Sequence, residues 1–171
     1  LLIAVRDAGR RAIADPRDYE ARATLMWAGS VSHNDYTGCG RKRLFPVHKL
    51  EHELSAFRDE IAHGAGLSVL FPAWAEHEMQ YDYPRFAQFA NRVLGVEMDF
   101  EHPERTAREG IRTLRRFFEE IGMPTHLSQL SIKPENYEKL AANTVRTVNG
   151  PVKSYSPLDE KAIIEIYRLA E

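Results

Sequence analysis

The sequence predicts an all-α domain, and three observations carry that prediction. Apolar residues recur at helical spacing along most of the chain. Proline and glycine fall where helices begin and end, and no run of period-two alternation bounded by turn signals appears. Leu1 to Ala14 reads as a first helix that stops at Asp15-Pro16. Asp15 is expected to cap a second helix, with Pro16 at its first position, running to about Ser32. In that helix Ala21, Ala23, Leu25, Met26, Trp27 and Ala28 are expected to be largely buried. Asn34 to Pro46, with its Asn, Asp, Gly and Pro, reads as a loop. A third helix starts near Val47 and carries His48, Leu50, His52, Leu54 and Phe57. A fourth follows His63-Gly64 and reaches about Met79, with Pro72 expected to kink or break it.

The second half is more regular. Tyr83 to Leu94 places Phe86, Phe89, Ala90 and Val93 on one helical face. Pro103 opens a long helix to Ile121 whose inner stripe is Ala107, Ile111, Leu114, Phe117 and Phe118; Gly122 and Pro124 end it. Pro134 to Val145 is a further helix, and Gly150 to Tyr155 is the only good candidate for an extended piece. Ser156-Pro157-Leu158-Asp159 looks like a cap, a first-turn proline and an acidic third position before a final helix. With no repeat, linker or low-complexity tract, residues 1–171 are expected to form a single helical domain.

Composition narrows the function. A 43% hydrophobic and 28% charged chain is that of a globular domain. A formal net charge of -2 gives no basic excess for nucleic acid, and no apolar stretch is long enough for a bilayer. The single cysteine, Cys39, excludes an internal disulfide and suits a reducing compartment, so a cytoplasmic location is expected. The start at Leu1-Leu2, without Met, suggests a piece of a longer polypeptide. Neither GxGxxG nor GxxxxGK[ST] is present, so neither common phosphate-cradling loop is expected; the two glycines of His63-Gly64-Ala65-Gly66 serve close packing more readily than anion binding.

His48, His52 and His63 fall within one short stretch. His48 and His52, four apart on a helix, lie on one face one turn apart, and a tight turn can return His63 toward them. Neutral imidazole ligates first-row transition metals, and Glu51 or Glu53 are candidate acceptors for a ring N–H. The bland alternative is three ordinary surface histidines. His33, His77, His102 and His126 read as surface residues. The string His48-Lys49-Leu50-Glu51-His52 also matches HxxEH, a zinc signature of inverted metallopeptidases, but that reading needs a remote third ligand and a mixed sheet-and-helix fold. A non-catalytic helical interaction domain is the second alternative.

The run from His48 to Ala56, with His63-Gly64-Ala65-Gly66-Leu67 and Leu70-Phe71-Pro72-Ala73-Trp74, resembles the iron-containing alcohol dehydrogenases, and most of all their butanol-dehydrogenase branch. Asp18 to Ala23, Leu25 to Ser30, and Phe117-Phe118 through Gly122-Met123-Pro124-Thr125 extend the likeness along the whole chain. The resemblance implies the C-terminal helical domain of that family, in the dehydroquinate synthase-like fold, whose partner is an N-terminal domain that binds NAD or NADP. It further implies a divalent metal, Fe2+ or Zn2+, in the cleft between them. Four side chains hold it in the family, and the two later ones fall on His48 and His63. His52 matches the histidine beside the nicotinamide, which makes it the implied cofactor-contacting and catalytic residue; it could relay the alcohol proton to solvent. The other ligands and the dinucleotide-binding domain are expected to precede Leu1, and relatives are often dimers. Hydride exchange between a small primary alcohol or aldehyde and the nicotinamide is the implied reaction. Trp27 and Phe57 are candidates for an apolar substrate wall, with a core role as the simpler reading. One departure stands out: the ligand histidines are usually fourteen residues apart in the family and fifteen here. In a continuous helix the extra residue, within Arg58 to Ala62, would rotate His63 by about 100° relative to His48.

Overall fold

The protein is described by a computed structural model over residues 1–40 and 43–171, which divide into two compact units, Leu1–Arg43 and Leu44–Glu171. In the first, α1 (Leu2–Ala14) packs on α2 (Tyr19–His33), with Ala8, Ala21 and Ala28 buried. The cap of α2 is Asp18 rather than Asp15. Its carboxylate accepts the Ala21 N–H at 3.0 Å and is gripped from α1 by Arg11 through Nε (2.9 Å) and Nη2 (3.0 Å). The Ala21 N–H and the Arg11 guanidinium hold that carboxyl below its usual range. Asp15 instead accepts the Arg17 N–H at 2.9 Å and turns the chain, so α2 starts almost one turn later than its composition suggests. Met26 and Trp27, expected inside, are 80% and 71% exposed. Helix-on-helix packing covers one narrow stripe of α2, occupied by Ala21 and Ala28, and both large side chains lie off it.

The second unit contains α3 (Pro46–Phe57), α4 (His63–Glu78), α5 (Tyr83–Leu94), α6 (Pro103–Glu120), α7 (Tyr137–Thr147) and α8 (Glu160–Leu169). Helix α4 is its hub, packed by α3, α6 and α8, and it is apolar nearly all round, as a buried helix should be. Leu50 and Leu54 of α3, Val69, Leu70 and Ala73 of α4, Leu140 of α7, and Ile163 and Tyr167 of α8 share the main core. A second cluster joins Ala75 and Met79 to Phe86, Ala87, Ala107 and Ile111. Pro72 does not break α4, which runs through it. Helices on several sides fix that segment, and their packing outweighs one missing backbone hydrogen bond.

Gly122 closes α6 with φ +76°, as expected for a left-handed terminus. The anticipated extended piece is a single antiparallel pairing, Val152 N–H to Leu158 O at 2.9 Å and the reverse bond at 3.0 Å. That pairing takes Leu158 out of the final helix. Asp159, accepting the Ala162 N–H at 2.9 Å, therefore caps α8 in place of Ser156. Glu78, fully buried on α4, pins the same loop: its carboxylate accepts Ser154 Oγ (2.6 Å) and the Ser156 N–H (3.0 Å), while Trp74 Nε1 donates to Ser154 Oγ at 2.9 Å. His77 joins this network through Nδ1 to Glu78 at 3.0 Å, and its side chain is only 11% exposed, so it is not the surface residue expected. Among the described residues there is no named strand, and no helix is long and apolar enough to cross a membrane.

Candidate metal centre

The three histidines singled out in the sequence come together at the junction of α3 and α4. The His48 and His63 ring centroids are 5.2 Å apart, His52 and His63 are 5.6 Å apart, and His48 and His52 are 6.4 Å apart. The reason lies in the connection. Helix α3 stops at Phe57, Arg58 is extended (φ -141°, ψ 101°), and α4 begins at His63 itself. The extra residue therefore sits in non-helical chain, and the rotation a continuous helix would impose does not arise.

Two imidazoles bound to one ion at metal–nitrogen distances of about 2.1 Å and a tetrahedral angle have centroids roughly 5 Å apart. His48 with His63 comes nearest to that separation, His52 with His63 at 5.6 Å lies close behind, and His48 with His52 exceeds it. His48 is half-buried with Phe45 edge-on at 5.2 Å, His52 is exposed, and the His63 side chain is 48% exposed. The donor set therefore fits a borderline divalent cation such as iron or zinc, for which imidazole is a common ligand. Single donor atoms of Glu51, His52 and His63 also lie within 4.8 Å of one another. That second grouping is the weaker one, because both Glu51 oxygens already have protein donors.

Of the two candidate acceptors for a ring N–H, it is Glu51 that meets a histidine, and its burial is what the sequence did not disclose. It is completely buried, accepts Ser55 Oγ on Oε1 at 2.5 Å, and accepts His63 Nδ1 on Oε2. Gly66 makes room for it: a Cβ there would lie 2.6 Å from Glu51 Cγ and 2.7 Å from Oε1. A glycine facing a carboxylate is no anion cradle, so Gly66 serves close packing. Glu53, the other acidic candidate, accepts Thr147 Oγ1 at 3.0 Å instead. The metallopeptidase reading finds no support in the same facts, since the HxxEH glutamate is buried among protein donors and the described residues form no sheet.

An apolar cleft of about 460 Å³ opens beside His48, walled chiefly by Leu44, Phe45, Leu67, Phe71, Trp74 and Met123, all in the second unit. Leu67, Phe71 and Trp74 follow one another at helical spacing on α4, which was the available signal for this wall. Phe57 is not part of it; its ring lies under Lys139 Nζ at 5.5 Å. Trp27 belongs to the first unit.

Comparison with known proteins bears on this arrangement. A sequence model described as "Fe-containing alcohol dehydrogenase family, C-terminal" matches residues 2–170. The chain is 35% identical over 161 residues to NADH-dependent butanol dehydrogenase A of Clostridium acetobutylicum, covering 94% of this chain and 41% of that protein. It is 30% identical over 132 residues to an NADPH-dependent aldehyde reductase of Escherichia coli, covering 77% of this chain and 33% of the relative. The crystal structure of NADH-dependent butanol dehydrogenase A from Thermotoga maritima superposes with a TM-score of 0.90 at 30% identity, over 99% of this chain and 44% of that one. The chain thus spans less than half the length of these relatives.

Proposed function

The chain belongs to the Fe-containing alcohol dehydrogenase family, and on that premise we propose that it is the metal-holding helical part of an NAD(P)-linked alcohol dehydrogenase or aldehyde reductase. The observation that carries the proposal is the 5.2 Å approach of His48 to His63 at the mouth of an apolar cleft. His48 and His63 are the metal ligands in this reading, and His52 is the catalytic residue beside the nicotinamide. When bound, a divalent iron or zinc ion supplies Lewis-acid polarisation of the substrate oxygen. Phe45, Leu67, Phe71 and Met123 receive the hydrocarbon part of a small primary alcohol or aldehyde and exclude water from it. His52, an exposed imidazole within 5.6 Å of His63, carries the hydroxyl proton toward solvent. The nicotinamide cofactor carries the hydride.

Two features support a division of labour with a dinucleotide-binding domain outside these residues. The chain holds no glycine-rich dinucleotide fingerprint, and the relatives are more than twice the matched length. The names of those relatives, butanol dehydrogenases and an aldehyde reductase, support the substrate class. We further propose a cytoplasmic location, in keeping with the lone free Cys39, and assembly as a homodimer, in keeping with the family resemblance. The test is to measure NAD(P)H oxidation by butanal with the chain alone and within a longer protein that supplies the nucleotide domain. Turnover is expected only in the longer protein, lost on chelation and restored by Fe2+ or Zn2+. Undiminished turnover after complete metal removal would end this reading.

A further inference from the structure

Glu51 occupies a niche assembled by two helices. Ser55 lies one turn along α3, while His63 and Gly66 lie in the first turn of α4. The carboxylate is completely buried, and each oxygen has one side-chain donor, Ser55 Oγ on Oε1 and His63 Nδ1 on Oε2. Burying a carboxylate is costly unless it is fully hydrogen-bonded, and a buried ion pair is commonly no more stabilising than an apolar pair of the same volume. Stability alone therefore does not explain the niche. Its chemical effect is specific: it fixes which His63 nitrogen carries the proton. A ring that donates from Nδ1 presents its lone pair at Nε2, and an acceptor on one ring nitrogen is how proteins set the tautomer and aim of an imidazole ligand. Glu53 bonds Thr147, so Glu51 is the acidic residue of α3 that has this relation to the cluster.

We propose that Glu51 is a positioning residue for His63, holding it as the Nδ1–H tautomer so that Nε2 is the atom offered to a divalent cation. This rests on the metal reading given under the proposed function. Gly66 belongs to the same device, because any side chain there would push the carboxylate off the ring.

Long-range proton–nitrogen NMR on the histidine-labelled chain, at a pH where the imidazoles are neutral, tests it without turnover. In the unsubstituted chain His63 is expected to show protonated Nδ1 and bare Nε2, and added Zn2+ to shift Nε2. Glu51→Gln keeps an acceptor oxygen and should preserve the tautomer. Glu51→Leu should release it toward Nε2–H and weaken Zn2+ binding by about 10- to 100-fold. Nε2–H in the unsubstituted chain overturns the proposal even if no variant folds. So does an unchanged tautomer in a folded Glu51→Leu chain, or Zn2+ on Nδ1 in place of Glu51. A held tautomer with no response to Zn2+ instead overturns the metal reading and leaves the Glu51–His63 pairing standing.

Discussion

His48 and His63 come from different helices, yet their rings stand 5.2 Å apart, closer than either stands to His52 at 6.4 and 5.6 Å. Replacing His48 or His63 by Ala is expected to lower metal content at least tenfold and to abolish turnover in a protein carrying the nucleotide domain. His52→Ala should keep its metal while turnover falls about 100-fold or more, the usual size of an acid–base contribution. Metal analysis beside steady-state rates separates the two roles. Normal metal content in His48→Ala removes that residue from the site.

Gly66→Ala should destabilise the second unit by about 1–3 kcal/mol, because Glu51 must move to admit the new Cβ. The same variant should bind Zn2+ more weakly. An unshifted melting temperature together with unaltered Zn2+ binding contradicts the packing described.

Gly110 is a point of close approach between α5 and α6, where a Cβ would sit 2.3 Å from Ala90 Cβ and 3.0 Å from its Cα. Gly110→Ala is expected to lower stability by about 1–3 kcal/mol even though Ala is the better helix former. A chemical denaturation curve decides it. Stabilisation would show that the two helices are not in contact there.

Tyr137 and Tyr167 pack in the core with ring centroids 5.5 Å apart and planes tilted by 45°. Burial, reinforced by the Glu171 carboxylate, pushes the Tyr137 hydroxyl up to about 12. Burial also pushes Tyr167 up. The folded state thus holds phenol protons that the unfolded chain releases near pH 10. The stability they confer is complete below that pH and is lost as pH rises through about 12. Ultraviolet titration with circular dichroism should show these two phenols ionising only as helicity is lost. Ionisation of all seven tyrosines near pH 10 with the helices intact contradicts it.

The helices were legible because each carries a periodic apolar stripe, and the misplaced starts share one cause. Asp15 and Asp18 are equally good local caps for α2, and only the reach of Arg11 from another helix favours Asp18. Ser156 loses to Asp159 because Leu158 pairs with Val152 and the Ser156 N–H goes to Glu78. Neither contact has a local signature. At the site, helical spacing put His48 and His52 on one face, but the return of His63 depends on a corner whose path periodicity does not describe. Glu51 was harder, since a charged residue is ordinarily placed in solvent and only its fit against Gly66 reveals its burial.

Residues 58–62 work as slack between two anchored ends. The Glu51 carboxylate fixes His63 from the side, so the ring's position is not set by how many residues lead up to it. Lengthening such a corner costs little, since even doubling a loop adds only ~0.6 kcal/mol of closure entropy. A change in the number of residues there can be absorbed while His63 keeps its contact with Glu51, so the count of residues between His48 and His63 does not by itself fix where the ring lies.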